Sequence, residues 1–251
     1  MKNVLLICIL AGAVSAVVAQ TPEQTFLEAN QLYQQGKLQE AREQYERLRS
    51  AGLESAELYY NLGNTFYKLG NVARAILNYE RALKLAPDDE DILFNLQLAN
   101  LMLTDKIEVA PKLFIWEYWE AVKSAFSLTV VTWLAYLFFA LALGSLSAFI
   151  LARTYAARKF SFVGAIASGV VCLLFVIIFT AKLSDMQRSD TAIVLVEVVN
   201  VKNSPDGSSS DAFVLHGGTK VQITDQVGNW LKIRLADGKV GWMEQGSAET
   251  I

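Results

Sequence analysis

The spacing of apolar and polar residues divides the chain into three parts. Residues 22–103 have the apolar spacing of helices. Two uncharged apolar runs lie between Ser127 and Ala181, and from Asp190 onward apolar and polar residues alternate between turn sequences such as ADG and HGG. This alternation predicts short strands in a small barrel or sandwich. The pattern predicts a multidomain membrane protein with an all-α part, a transmembrane helix hairpin and a small all-β part.

The apolar runs, Ser127–Leu151 and Phe162–Ala181, predict two transmembrane helices. At about 20 residues or more, each is long enough to cross the hydrocarbon core of a bilayer. The segment between them, residues 152–161, carries three basic residues and no acidic one, which is typical of a cytoplasmic loop. We therefore expect both ends of the hairpin on the outer side of the inner (cytoplasmic) membrane.

The segment ahead of the first span, residues 111–126, is rich in aromatic side chains. Trp116, Tyr118 and Trp119 suit the headgroup level of a bilayer, where one end of an amphipathic ring is apolar and the other wet. We therefore interpret residues 111–126 as a juxtamembrane aromatic segment.

The N-terminus has the layout of a signal peptide. One lysine precedes a short apolar core and small residues, with Val17 and Ala19 three and one positions before a possible cleavage site ahead of Gln20. We predict a signal peptide over residues 1–19; an uncleaved anchor helix is the alternative. Export of the N-terminus agrees with the hairpin, so we expect both soluble parts in the periplasm.

A repeat with a period of 34 residues runs through the helical part. The aligned pairs are Gly36 with Gly70, Ala41 with Ala75, and Tyr45 with Tyr79. Small and large residues at fixed places in such a period mark a two-helix repeat. The second copy resembles the tetratricopeptide repeat (TPR) at Tyr59, Leu62, Gly63, Phe66, Gly70, Ala75, Tyr79, Ala82 and Pro87. We predict a TPR domain over residues 22–108, with repeats at 22–55 and 56–89 and a capping helix at 90–103.

The repeat positions have physical roles. We expect Gly63 where the two helices of a repeat cross, because a side chain there would hold the backbones apart. Gly70 is expected to end the first helix in a left-handed conformation. Phe66 and Tyr79 fill the space between the helices, and Pro87 stops the second one.

The TPR resemblance implies a concave face, lined by the first helices, that binds a peptide or helix of a partner. The positions that the resemblance assigns to this face are Phe26, Asn30, Tyr60, Asn61, Asn64, Tyr67 and Lys68. An ordinary solvated helix face is the alternative interpretation of the same residues.

The C-terminal part, residues 190–251, resembles bacterial SH3-like domains. The matching residues are Phe213, Leu215, Gly218, Val221, Gly228, Trp230, Ile233, Gly238, Gly241 and Trp242. Trp230 and Trp242 could stack on a ligand or form the core of a very small barrel, and we expect them in the core. Glu244 stands where SH3 domains that bind polyproline have a proline, so we do not expect polyproline binding.

Composition argues against several classes of function. A net charge of −3 gives no electrostatic reason to bind nucleic acid. Both cysteines, Cys8 and Cys172, lie in apolar runs, and His216 is the only histidine and lies beside a predicted turn. No catalytic set, metal-ligand spacing or phosphate loop is recognisable. We therefore expect no enzymatic activity, no metal and no cofactor, and interpret His216 as a turn residue.

The order of the parts resembles the BatE-like family of the Bacteroides aerotolerance operon. This resemblance implies a Bacteroidota envelope complex linked to aerotolerance or stress, with von Willebrand A-domain membrane proteins as partners. We expect a membrane-anchored scaffold for protein–protein interactions. A peptidoglycan-binding sensor that uses the SH3-like domain is the alternative, and a third possibility is that the two modules only pack against each other.

Overall fold

The computed structural model describes residues 21–108, 113–187 and 190–251. The predicted signal peptide lies outside the described residues. The chain divides into two compact units, with the boundary between Leu53 and Glu54.

The first unit contains the helices of the first repeat, α1 (Pro22–Gln34) and α2 (Leu38–Ser50). Thr21 begins α1 with a capping box. Its side-chain oxygen accepts from the backbone N–H of Gln24, and the Gln24 side-chain oxygen accepts from the backbone N–H of Thr21. Gly36 lies between the helices at a φ of 77°, a left-handed conformation that favours glycine. Ala41 and Tyr45 are buried between them.

The second unit begins with α3 (Ala56–Lys68), α4 (Val72–Leu85) and α5 (Glu90–Asn100). Each has a side-chain N-cap, from Ser55, Asn71 and Asp89 respectively. Gly70 ends α3 at a φ of 78°, as the period predicts. The two repeats therefore use the same left-handed glycine turn.

Gly63 lies where α3 crosses α4. A Cβ atom at this position would be 2.7 Å from the ring of Tyr79 and 3.3 Å from the carbonyl oxygen of Ala75. This is closer than real Cβ contacts come, so a side chain would push the helices apart. Buried residues of three helices, Tyr59, Ala82 and Ile92, pack beside this crossing.

Three further helices follow: α6 (Phe114–Ser124), α7 (Leu128–Leu151) and α8 (Tyr155–Gln187). The last two are long and apolar enough to cross a membrane. They pack against each other, with the rings of Phe138 and Phe175 stacked at 5.9 Å. This pairing indicates a membrane protein with a helix hairpin.

The predicted loop between the spans is shorter than expected. Helix α8 begins at Tyr155, ahead of the predicted span start at Phe162, and continues past Ala181 to Gln187. The predicted loop, residues 152–161, is therefore mostly helical, because its alanine, arginine and lysine residues are good helix formers. Apolar content marks the part of a helix in the bilayer and does not mark the ends of the helix.

Residues from Asp190 onward form an antiparallel seven-stranded sheet in the order β3-β2-β6-β5-β4-β1-β7. The strands are β1 (Thr191–Val194), β2 (Val198–Lys202), β3 (Asp211–His216), β4 (Lys220–Val227), β5 (Trp230–Arg234), β6 (Val240–Glu244) and β7 (Ala248–Thr250). Its core contains Val194, Val201, Leu231, Ile233 and Met243. The architecture thus matches the predicted fold class: TPR-like helices, an apolar helix pair and an all-β domain with an SH3-like fold.

Candidate interaction surfaces

The SH3-like domain docks on α4 through a row of charged side chains. The Arg81 guanidinium donates to Glu249 Oε1 at 2.9 Å and to the backbone oxygen of Thr250 at 2.6 Å. Lys84 Nζ donates to the backbone oxygen of Ile251 at 3.0 Å. Because the Arg81 guanidinium has both a charged and a neutral acceptor, its interaction with the barrel is stronger than a typical surface ion pair.

A second docking contact joins the segment after α5 to the turn between β3 and β4. Asp105 Oδ2 accepts from the His216 backbone N–H at 2.7 Å and from Thr219 Oγ1 at 2.8 Å. Asp105 Oδ1 lies 2.8 Å from Nδ1 of the His216 ring. Burial raises the pKa of Asp105, but these hydrogen bonds outweigh burial and hold its pKa below the ordinary value.

The backbone of the same turn approaches the helices closely. A Cβ atom on Gly218, which has a φ of 97°, would collide with the Leu103 side chain. Ile107 packs against the core of the barrel. Packing of the two modules against each other, which the third interpretation expects, is therefore present within the second unit. His216, predicted as a turn residue, also contributes to this contact. In the sequence, the signal for this contact is weak and consists of a lone histidine followed by two glycines.

In the first unit, the predicted partner-binding residues of α1 contact α2. Tyr45 donates its hydroxyl to Asn30 Oδ1 at 2.6 Å. The Phe26 ring meets the Tyr45 ring edge-on, with the centroids 5.9 Å apart. Phe26 and Asn30 therefore contribute to packing within the repeat.

In the second unit, the equivalent hydrogen bond recurs and extends to α5. Tyr79 donates its hydroxyl to Asn64 Oδ1 at 2.7 Å. Asn95, which was not predicted, donates to Asn64 Oδ1 at 3.0 Å and to the Tyr60 hydroxyl at 2.9 Å. Asn64 and Tyr60 are thus engaged in a network that joins three helices. A signal for the first bond exists in the sequence, because the asparagine and the tyrosine both recur with the repeat period.

The remaining predicted residues, Asn61, Tyr67 and Lys68, lie on α3. Asn61 and Tyr67 are partly buried and Lys68 is exposed. On α5 and directly after it, apolar side chains that the prediction did not include are also exposed: Phe94, Leu98, Leu101 and Met102. The contacts to the barrel described above come from α4 and from the segment after α5, and none of them involves these three positions on α3.

The two tryptophans of the barrel are outside its core, contrary to the expectation. Along β5 and β6 the buried residues are Leu231, Ile233 and Met243, and the tryptophans alternate with them on the other face. Lys232 pairs with Trp242 across the strands, and its Nζ lies 5.7 Å from a Trp242 ring centroid, a cation–π distance. Trp230, Lys232 and Trp242 therefore share a half-buried outer face.

A cavity of about 730 Å³ lies where α4, α6, the ends of the spans and the barrel meet. Its four lysines all bond to protein oxygens, which argues against an anion site. In the described part of the chain, no group of three or more His, Cys, Asp or Glu side chains is placed to hold a metal ion.

Two family models match separate parts of the chain. A tetratricopeptide repeat model matches residues 26–90, and a bacterial SH3 domain model matches residues 197–249. A search of curated proteins found no match.

Proposed function

We propose that the chain is a non-enzymatic, membrane-anchored scaffold for protein–protein interactions, with both modules in the periplasm. The two matched families are interaction modules without catalytic activity of their own. The observation that carries the proposal is the docking of the barrel on α4, a second helix of a repeat. The docking bonds described above use α4 and the segment after α5, and none of them involves Asn61, Tyr67 or Lys68 of α3, a first helix.

The docking contact also supports the proposed topology. Arg81 and Asp105 precede the spans in sequence, whereas their partners Glu249 and His216 follow them. Such bonds form only if both modules are on the same side of the membrane, and a hairpin of two spans returns the chain to that side. The basic residues between the spans favour the cytoplasm for the turn.

The partner class follows from the resemblance to the BatE-like family. In this proposal the partners are von Willebrand A-domain membrane proteins of the same operon, within an envelope complex linked to aerotolerance or stress. Two weak contacts on one membrane anchor raise the effective concentration of each module for such a partner.

Recovery of partners from native membranes in mild detergent tests the scaffold. The test variant is Asn61→Ala with Tyr67→Ala, because Asn64 and Tyr60 are needed for the internal network. The control is Gln39→Ala with Glu43→Ala, at two exposed positions of α2. We expect recovery of von Willebrand A-domain proteins to fall in the test variant only; equal recovery from both variants argues against this binding face.

Binding to the cell wall is the second candidate function, and the outer face with Trp230 and Trp242 favours it. Aromatic rings flanked by a lysine could stack on a wall glycan or peptide. Isolated peptidoglycan should sediment with the purified protein, and Trp242→Ala should reduce the bound fraction relative to Val214→Ala, an exposed control on the edge strand β3. Absence of binding by the unmodified protein excludes this function.

A further inference from the structure

Helix α6 exposes an unusual amount of apolar surface. Phe114, Ile115 and Tyr118 are 82%, 60% and 72% exposed. Exposed apolar patches of this kind mark surfaces that contact a partner or a membrane. Neither the TPR model nor the SH3 model covers this helix.

Three of the exposed apolar residues of α6 lie on one side of the helix. At 100° per residue, Phe114, Ile115, Tyr118 and Val122 share one side of α6. Glu117, Glu120 and Lys123 lie toward the opposite side, together with Trp116, which is 58% exposed. This division is typical of helices that lie in the plane of a membrane surface with one face in the lipid.

The polar side of α6 is attached to the ends of the spans. Lys123 Nζ lies 2.6 Å from Asp185 Oδ2 and 2.9 Å from Glu120 Oε1. Burial lowers the pKa of Lys123, but these two carboxylates outweigh burial and hold its pKa above the ordinary value. The ammonium group is therefore charged and fixes α6 to the last turns of α8.

A second lysine holds the end of α6. Lys182 Nζ donates to the carbonyl oxygens of Lys123 and Phe126 at 2.9 and 2.8 Å, which satisfies carbonyls that a helix end leaves free. Lys182 and Asp185 are the first charges of α8 beyond the apolar run that ends at Ala181. The C-terminal end of α6 is thus held at the level where the spans leave the hydrocarbon.

The connection to α7 is short, because only residues 125–127 separate the two helices. Ser127 is extended at its N-cap position, so the chain changes course between α6 and the span. We propose that α6 is an interfacial helix, lying along the bilayer surface with Phe114, Ile115 and Tyr118 inserted among the lipids. The occupant of this apolar face is the bilayer, whose boundary the adjoining span already crosses.

The interfacial position adds a function to the anchor. The helix would hold the start of the first span at a fixed depth, and with it the soluble modules near the membrane surface. The low charge of the apolar face predicts binding to zwitterionic lipid without a requirement for anionic headgroups.

Spin labelling of the full chain in phosphatidylcholine nanodiscs tests this inference. In a Cys8→Ser, Cys172→Ser background, nitroxides are attached at Ile115→Cys, Tyr118→Cys and, as the matched control on the polar side, Glu117→Cys. We expect oxygen to relax the labels at 115 and 118 more than a water-soluble nickel complex does, with the reverse at 117. The depth of the two labels should be about 5–10 Å below the headgroup boundary.

Three results would overturn the inference. Strong relaxation by nickel at all three positions means that α6 is in water. Weak relaxation by both reagents at 115 and 118 means that protein covers the face, as in contact with a second copy. Oxygen-dominated relaxation that needs anionic lipid contradicts the predicted lipid class.

Discussion

At the scale of single residues, the asparagine–tyrosine bond is the most informative detail of the helical part. It occurs as Asn30 with Tyr45 and again as Asn64 with Tyr79. The resemblance assigned both asparagines to the partner-binding face, whereas each side chain joins the two helices of its own repeat. A position on the binding face of a repeat can therefore be occupied by a residue with a structural role.

Removal of the Tyr79 hydroxyl should destabilise the TPR part. Tyr79 is 1% exposed, and Tyr79→Phe removes one hydrogen bond from Asn64, at a cost of about 1 kcal/mol. The measurement is the melting temperature of the full chain in detergent, followed by far-ultraviolet circular dichroism. We expect a lower melting temperature than for the unchanged protein.

The matched control is Tyr67→Phe. It makes the same chemical change on the same helix pair, at a partly exposed position that does not contribute to the Asn64 network. Equal melting temperatures for Tyr79→Phe and Tyr67→Phe would show that the buried hydrogen bond does not stabilise the repeat.

The outer position of the barrel tryptophans can be read from the residues two positions away on the same strand. Alternation along β5 separates Trp230, Lys232 and Arg234 from Leu231 and Ile233, and a two-residue period puts each set on its own face. The face with two cations is the one that meets solvent, so the tryptophan on it is also outside. The size of the aromatic rings suggested that the tryptophans lie in the core, but the residues two positions away predict their outer location correctly.

At the scale of elements, the helices of the repeats were predictable because caps, glycines and proline mark their ends. Gly36 and Gly70 have the left-handed conformation that the period implied, and α4 ends at Leu85, just before Pro87. The extension of α8 was not predictable from hydropathy, since residues 155–161 are helical without being apolar. Docking of the barrel was also beyond sequence patterns, because Asp105 and His216 are far apart in the chain and neither belongs to a repeat.

The Asp105 contact should make docking sensitive to acid. Since the pKa of Asp105 is lowered in the folded protein, its contribution to stability is fully present above the unfolded pKa of about 4 and is lost as the pH falls through the folded pKa. Asp105→Asn should lower the melting temperature near neutral pH, because an amide cannot accept three hydrogen bonds as a carboxylate does. The loss should shrink as the pH falls below about 4.

Melting curves in detergent between pH 3 and 7 measure this effect. The control is Asp88→Asn, the same substitution at an exposed residue outside the docking contact. A melting temperature for Asp105→Asn that equals that of the control at every pH would contradict a stabilising role for Asp105.

At the scale of the whole molecule, the three-part architecture follows from the sequence because apolar residues are spaced differently in each part. Helical repeats, uncharged runs and alternating strands require different spacings of apolar residues. The bonds from α4 and from the segment after α5 join parts that are separated by the two spans. In the proposed topology, the membrane hairpin returns the chain to the side where this docking occurs, which the spacing of apolar residues alone did not show.

The most direct test of the account is the side of the membrane on which each part lies. Three exposed alanines, Ala51, Ala156 and Ala236, are replaced singly by cysteine in a Cys8→Ser, Cys172→Ser background. Intact spheroplasts are then treated with a membrane-impermeant maleimide. The account predicts labelling at 51 and 236 before lysis and at 156 only after it; labelling of 51 and 236 from opposite sides would contradict it.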